Sequence, residues 1–195
     1  MTNTSATERL ALGGIVGPAA FIGAWAVLGA TRAGYSPISG HISDLAALGT
    51  GTRRWMTAGF VVYGLGLPLY GAAARRRGRP VIGALAVVTG LSTLAVATFP
   101  LGTASDRAHV LSAAVGYVTL AAIPLAGAVV PWRCGRRGLA VLSAAVGVAS
   151  AAALAASLSG PQGGLWQRTG LTLGDVWVAG HALAILRNRR ARPSV

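Results

Sequence analysis

Six apolar segments follow one another along the chain, separated by short connections that carry most of the arginines. Each segment is near the ~20 residues that a helix needs to span the ~30 Å hydrocarbon core of a bilayer. Because backbone groups in lipid must be paired within a segment, we interpret these segments as helices rather than strands. The sequence therefore predicts an all-α polytopic membrane protein, a six-transmembrane-helix bundle with short loops.

The predicted organisation is a single integral membrane domain over residues 1–195. The first span is too long and too rich in glycine for the core of a signal peptide, so we expect it to be retained. Residues 188–195 are predicted to form a basic cytoplasmic tail. The six predicted spans are residues 10–30, 55–74, 80–100, 109–131, 138–158 and 170–187.

The composition agrees with a membrane location and argues against nucleic-acid binding. Only 11% of the residues are charged, against about a quarter in soluble domains. The net charge is +13, but all 17 basic residues are arginines, and most of them lie in short clusters between apolar segments. Such clusters suit anionic lipid head groups, and the abundant small residues suit close helix contacts. We expect membrane lipids as partners, no nucleic acid, and a helix-packing partner or a homo-oligomer.

The arginines are distributed unequally between the two sides of the predicted bundle. Five lie on one side and twelve on the other, and the twelve are Arg9, Arg75, Arg76, Arg77, Arg79, Arg133, Arg136, Arg137, Arg187, Arg189, Arg190 and Arg192. Since positively charged loops stay inside the cell, both termini are predicted to be cytoplasmic in a multi-pass plasma-membrane protein. Trp55 and Trp166 then lie near the outer interface and Trp132 near the inner one.

This orientation gathers most of the titratable side chains in the outer half of the bundle. Three of the four acidic residues and all three histidines fall there. Ionisable groups within a membrane normally face a bundle interior or a wet cavity. The sequence therefore predicts an outward-facing polar pocket, with acid–base chemistry as its candidate role. The candidate catalytic residues are Asp44, Asp106, His109 and His181.

The longest outer connection, residues 31–54, is predicted to contain a short interfacial helix near 42–48. Ser43 is interpreted as the cap of that helix rather than as a nucleophile, because no G-x-S-x-G motif surrounds it. Arg53, Arg54 and Arg168 are candidates for holding an anion, and Arg168 is also a candidate for pairing with Asp44 or Asp106.

The histidines and aspartates suit zinc in their chemistry, but they lie on separate elements without the spacing of a metal motif. We therefore predict neither a metal site nor a cofactor.

Three stretches carry a resemblance to a known family. They are "YSPISGHISDLAALG", the "FP" with an Asp and a His downstream, and "GLWQR" before the last span. Together they resemble the family catalogued as domain of unknown function 998. The resemblance implies about six spans and a prokaryotic membrane location, and it implies no assigned activity. Its characteristic positions correspond to Tyr35, Ser43, Asp44, Pro100, His109 and Arg168, which makes Tyr35 and Ser43 further candidates for binding. Gln167 stands where that family often has an acid.

Three functions remain open from the sequence. The first is an enzyme or binding protein for a lipid or lipid-soluble substrate. The second is a small-solute or proton transporter or channel, which Pro68 and Pro124 in the second and fourth spans and the deep His181 favour. The third is a structural or accessory membrane protein without catalysis, in which the polar cluster braces the outer loops.

Overall fold

The computed structural model of the chain describes residues 4–187, and every regular element in that range is helical. The predicted tail, residues 188–195, lies outside the described residues. The helices are α1 (Thr4–Ala11), α2 (Gly13–Thr31), a 3₁₀ helix (Ile42–Ala46), α3 (Arg53–Arg76), α4 (Pro80–Thr98), α5 (Asp106–Arg133), α6 (Arg137–Ala156) and α7 (Gly163–Arg187). The predicted all-α bundle with a short helix near 42–48 is confirmed.

Six of these helical segments are long and apolar enough to cross a membrane. The first runs over Ala6–Thr31, because α1 continues almost directly into α2, and α3 to α7 supply the other five. Trp55 and Trp132, which lie at opposite ends of the bundle, leave more than half of their surface exposed. Exposed tryptophans at both ends are typical of membrane proteins, in which the indole rings lie at the two membrane–water interfaces. The chain is a multi-pass membrane protein.

The last helix begins at Gly163, whereas the sequence suggested a span beginning near residue 170. The segment in between contains Gln167 and Arg168, whose polar side chains argue against an apolar span. Both are nevertheless buried in the structure, because groups of the 32–52 connection are their hydrogen-bond partners: the Ile42 N–H for Gln167, and the Pro37 carbonyl and the Tyr35 hydroxyl for Arg168. Tertiary contacts therefore extend the helix beyond its apolar part.

Five of the helices form a ring. Around the ring, α2 packs against α3, α3 against α4, α4 against α5, α5 against α7, and α7 against α2. Helix α6 contacts α5 and α7, which also contact each other, so it packs outside the ring. The 3₁₀ helix contacts α2, α3 and α7 and covers one end of the ring.

Glycines allow the closest helix contacts in the ring. A Cβ atom built on Gly13 would lie 2.3 Å from the carbonyl oxygen of Gly66, and one built on Gly66 would lie 2.7 Å from the carbonyl oxygen of Gly13. The backbones of α2 and α3 therefore touch, as small residues permit in membrane bundles, where the hydrophobic effect does not drive helices together.

The two ends of the bundle are distinguished by their loops, since the arginine clusters at 75–79 and 133–137 lie at one end. We call the end with the loops 32–52, 99–105 and 157–162 the Ser43 end, and the end with the turns 77–79 and 134–136 the arginine-rich end. Gly14, at the start of α2, lies beside Tyr70 of α3 and Ala182 of α7. The first residues of α2 and the last of α7 are therefore both at the arginine-rich end.

Candidate functional site at the Ser43 end

The 3₁₀ helix is anchored to the bundle by its apolar side and by its backbone. Ile42 and Leu45 are almost fully buried. The Ile42 N–H donates to Oε1 of Gln167 on α7 at 2.7 Å, and the Gln167 amide in turn donates to the Tyr117 hydroxyl on α5. These bonds fix the position of Ser43, the next residue along the chain, relative to α5 and α7.

Ser43 and His109 form a hydrogen-bonded pair between the 3₁₀ helix and α5. The Ser43 Oγ lies 2.9 Å from His109 Nε2, and His109 Nδ1 lies 2.7 Å from the carbonyl oxygen of Phe99. His109 is only 3% exposed. Its ring is thus held from both sides, by a hydroxyl on one nitrogen and by a backbone acceptor on the other.

The prediction that Ser43 caps the short helix is wrong. The helix begins after His41, and the His41 N–H donates instead to Oδ2 of Asp44 at 2.8 Å. Ser43 is two residues beyond the N-cap, so its side chain is available to α5. Asp44 therefore has the local structural role that the sequence assigned to its neighbour.

Arg168 clamps the loop before the 3₁₀ helix onto α7. Its Nη1 donates to the carbonyl oxygens of Pro37, Gly40 and Gly164 at 2.8 to 2.9 Å, and its Nη2 donates to the Tyr35 hydroxyl. The prediction that Arg168 pairs with Asp44 or Asp106 is wrong, because three carbonyls and a phenol take up its Nη donors. Arg168 as a whole is only 6% exposed.

Aromatic rings complete this clamp. The Arg168 guanidinium carbon lies 5.3 Å from the ring centre of Trp25 and 5.6 Å from that of Tyr35, within the range of cation–π attraction. The Tyr35 hydroxyl also lies 2.8 Å from the His41 carbonyl, to which it donates. Burial raises the pKa of the Tyr35 hydroxyl above its ordinary value, although Arg168 acts in the opposite direction. Tyr35 is therefore a neutral donor at physiological pH.

The remaining candidates of the Ser43 end lie at the surface. The side chain of Asp106 is exposed, and its Oδ1 accepts from the N–H groups of Gly102 and Thr103 at 2.9 and 3.1 Å. This carboxylate orders the loop that enters α5. Arg53 and Arg54 are exposed at the start of α3, and the Arg54 guanidinium lies 4.9 Å from the Trp55 ring centre.

The structure does not bring His181 next to His109. His181 Nδ1 lies 2.8 Å from the Tyr70 hydroxyl, and the His181 ring stacks on Trp177 with centroids 5.2 Å apart. Trp177 donates through Nε1 to Ser143 Oγ at 2.9 Å. His181 follows Arg168 by three to four helical turns, roughly 20 Å along α7. It belongs to a separate cluster that joins α3, α6 and α7 nearer the arginine-rich end.

A central cavity of about 50 Å³ lies inside the ring, directly beneath the 3₁₀ helix. Its volume is sufficient for water. The polar residues that line it are Ser43, Tyr63, Thr89, Thr93, Ser112, Tyr117 and Gln167. Ser43 thus faces the bundle interior and contacts His109 at the same time.

Two features of this interior were not predicted from the sequence. Tyr63 donates to Oδ1 of Asp175 at 2.7 Å in the middle of the bundle, and Phe99 supplies the carbonyl that orients His109. An acidic residue within an apolar span is a signal that identifies Asp175. A backbone carbonyl has no such signal. No cluster of three or more His, Cys, Asp or Glu side chains occurs within residues 4–187.

The contact between α7 and the loop supplies a test of this geometry. A Cβ atom on Gly164 would lie 2.2 Å from the Gly40 carbonyl oxygen and 2.9 Å from Arg168 Nη1, whereas nothing lies within 4 Å of one on Gly180. Gly164→Ala is expected to destabilise the protein by about 1–3 kcal/mol. Gly180→Ala, in the same helix, should be neutral or slightly stabilising. Unfolding midpoints in detergent compare the two variants, and equal midpoints would contradict the packing described here.

The fold and the site define an integral membrane protein with a serine hydrogen-bonded to a buried histidine beside a clamped loop. The model of the family described as "Protein of unknown function (DUF998)" matches residues 15–184. The chain belongs to this family, as the sequence resemblance suggested. No curated protein and no solved structure matches the chain.

Proposed function

We propose that the protein is a membrane-embedded serine hydrolase or acyltransferase that acts on the ester bond of a lipid or lipid-soluble substrate. The observation that carries this proposal is the hydrogen bonding of His109, with Ser43 Oγ on Nε2 and the Phe99 carbonyl on Nδ1. A serine nucleophile needs a base within hydrogen-bond reach and a third group that orients the base. All three groups are present here.

The Phe99 carbonyl fixes the tautomer of the neutral imidazole. A carbonyl oxygen only accepts hydrogen bonds, so Nδ1 must carry the hydrogen and Nε2 must keep its lone pair. The Ser43 hydroxyl then donates to Nε2. This is the direction in which a general base removes the proton from an attacking serine. The orienting group is a carbonyl rather than a carboxylate, and it favours the imidazolium less strongly.

The location of the pair suits a lipid ester. Ser43 lies at the same end of the bundle as Trp55 and Trp166, whose exposed rings fit the head-group level of a bilayer. The ester bonds of glycerolipids lie just below that level. The exposed Arg53 and Arg54 can attract the phosphate of an anionic lipid to the same region. Membrane lipids are thus the proposed substrates and partners.

The proposed reaction has two steps. Ser43 Oγ attacks the ester carbonyl carbon while His109 Nε2 takes the hydroxyl proton, and the proton passes to the departing alcohol as the ester bond breaks. The acyl–serine ester is then attacked by water, which gives a free acid, or by a second alcohol, which gives a new ester. His109 again removes the proton from the attacking group and returns it to Ser43.

Ester hydrolysis by purified protein in lipid vesicles tests the proposal. We expect turnover of long-chain acyl esters by the wild type and its loss in Ser43→Ala. Ser112→Ala is the matched control, because Ser112 lines the same cavity and is not hydrogen-bonded to His109. Equal turnover in the Ser43 and Ser112 variants would exclude Ser43 as the nucleophile.

Small-solute or proton transport is the second candidate function. It is favoured by the central cavity within the ring and by the buried acid Asp175, which is hydrogen-bonded to the cavity-lining Tyr63. Proteoliposome flux distinguishes it from the first proposal. Flux that survives Ser43→Ala and is lost in Asp175→Asn would favour transport over ester chemistry.

We also propose that the protein lies in the plasma membrane with the arginine-rich end and both termini in the cytoplasm. The unequal distribution of arginines supports this orientation. The single cysteine, Cys134, is exposed at the arginine-rich end and serves as a native probe.

Cys134 should be protected from a membrane-impermeant maleimide in intact cells and labelled after permeabilisation. The control is Cys134→Ser combined with Ser159→Cys, which places the thiol at an exposed position of the Ser43 end and should be labelled in intact cells. Labelling of wild-type Cys134 in intact cells would reverse the proposed orientation.

A further inference from the structure

The carboxyl group of Asp175 lies inside the bundle, away from Ser43, and only one of its two oxygens has a hydrogen-bond partner among the described residues. Asp175 on α7 has no exposed surface. Its Oδ1 accepts a hydrogen bond from the Tyr63 hydroxyl at 2.7 Å, and its Oδ2 is buried without a hydrogen-bond partner among the described residues. Buried polar atoms are rarely left unpaired, and each such atom calls for an explanation.

Among residues 4–187, no arginine is hydrogen-bonded to this carboxyl group. Its hydrogen-bond partner there is the Tyr63 hydroxyl of α3. Four other titratable side chains of α3, α5 and α7 have different hydrogen-bond partners. Tyr70 is bonded to His181, and His109 is bonded to Ser43. Tyr117 is bonded to Gln167, and Arg168 donates to loop carbonyls. Helix α2 contains no titratable residue, and α6 contains only Arg137, at the arginine-rich end. An unpaired carboxylate in such surroundings is costly, whereas a neutral carboxylic acid is far less so.

Tyr63 connects this carboxyl group to the central cavity. Tyr63 lines the cavity, and so does Leu171, which lies one helical turn before Asp175 on α7. The cavity is large enough for water, and its hydroxyl groups can hold a water molecule in place. Tyr63 is therefore the side chain that joins the cavity lining to the Asp175 carboxyl group.

We propose that Asp175 is a proton-binding site that exchanges its proton with the central cavity through Tyr63. On uptake, a hydronium ion in the cavity gives a proton to the Tyr63 oxygen, and Tyr63 passes its own hydroxyl proton to Oδ1 of Asp175. The cavity then holds water, Tyr63 is again a neutral phenol and Asp175 is a carboxylic acid. Release follows the same steps in reverse. The proposal does not depend on Ser43 chemistry.

Infrared spectroscopy of the protein in lipid nanodiscs tests this proposal. The C=O stretch of a carboxylic acid is separate from the amide and carboxylate bands. We expect such a band at neutral pH, its loss in Asp175→Asn, and its shift within the dead time of transfer into heavy water. Tyr63→Phe should slow that shift at least tenfold, because it removes the relay hydroxyl.

Tyr70→Phe is the matched control, since Tyr70 is buried two turns further along α3 and does not line the cavity. It should leave the exchange rate unchanged. If Asp175→Asn does not fold, aspartate-specific isotope labelling of the wild type assigns the band instead. The proposal is overturned if no acid band belongs to Asp175, or if the Tyr63 and Tyr70 variants exchange at the same rate.

Discussion

Replacing Arg168 by alanine is expected to destabilise the protein by about 3 kcal/mol or more. The substitution removes charge-assisted, partly buried hydrogen bonds to the carbonyls of Pro37 and Gly40 and to the Tyr35 hydroxyl, which hold the loop before the 3₁₀ helix. Bonds to a charged donor each contribute about 1.5–3 kcal/mol, and a buried acceptor left unpaired costs a similar amount. The loss is measured as the free energy of unfolding in mixed detergent.

Arg168→Lys is expected to recover little of this stability, although it keeps the positive charge. A lysine ammonium cannot reproduce the planar fork that reaches two carbonyls and the phenol while stacking on aromatic rings. Arg107→Ala is the control, because Arg107 is exposed at the start of α5 and should change stability by less than about 0.5 kcal/mol. A similar small change in Arg168→Ala would show that the clamp does not hold the loop.

Replacing His109 by alanine is expected to lower ester turnover by about 10²–10⁴-fold, the usual contribution of a general base. His41→Ala is the matched control, since His41 lies in the loop that contains Ser43 and its Nε2 is 3.2 Å from the Ser157 carbonyl oxygen. That variant should keep turnover within a few-fold of the wild type once folded. Equal losses in the two variants would show that His109 acts only through the structure of the loop.

The parts of the fold set by composition could be predicted from the sequence. Helix length and apolarity identify the six spans, because a bilayer fixes both quantities. The beginning of α7 could not be predicted, since Gln167 and Arg168 are helical only because the folded loop satisfies their side chains. A hydropathy pattern contains no information about such partners.

The candidate site could likewise be predicted only in part. Ser43, His109, Tyr35 and Arg168 were all selected from the sequence, yet their partners were not. Ser43 and His109 are 66 residues apart, and the acceptors of His109 and Arg168 are backbone carbonyls that every residue carries. His181 was expected in the outer half of the bundle with His109, but it lies nearer the arginine-rich end, where Tyr70 of α3 is its hydrogen-bond partner.

The account depends most directly on Ser43 being a nucleophile that His109 activates. The test is to treat the purified protein with a long-chain alkyl fluorophosphonate, which modifies activated serines, and to locate the covalent adduct by mass spectrometry. We expect a single adduct on the peptide that contains Ser43, lost in Ser43→Ala and strongly slowed in His109→Ala. An unmodified Ser43, or an adduct that forms equally well without His109, would contradict the account.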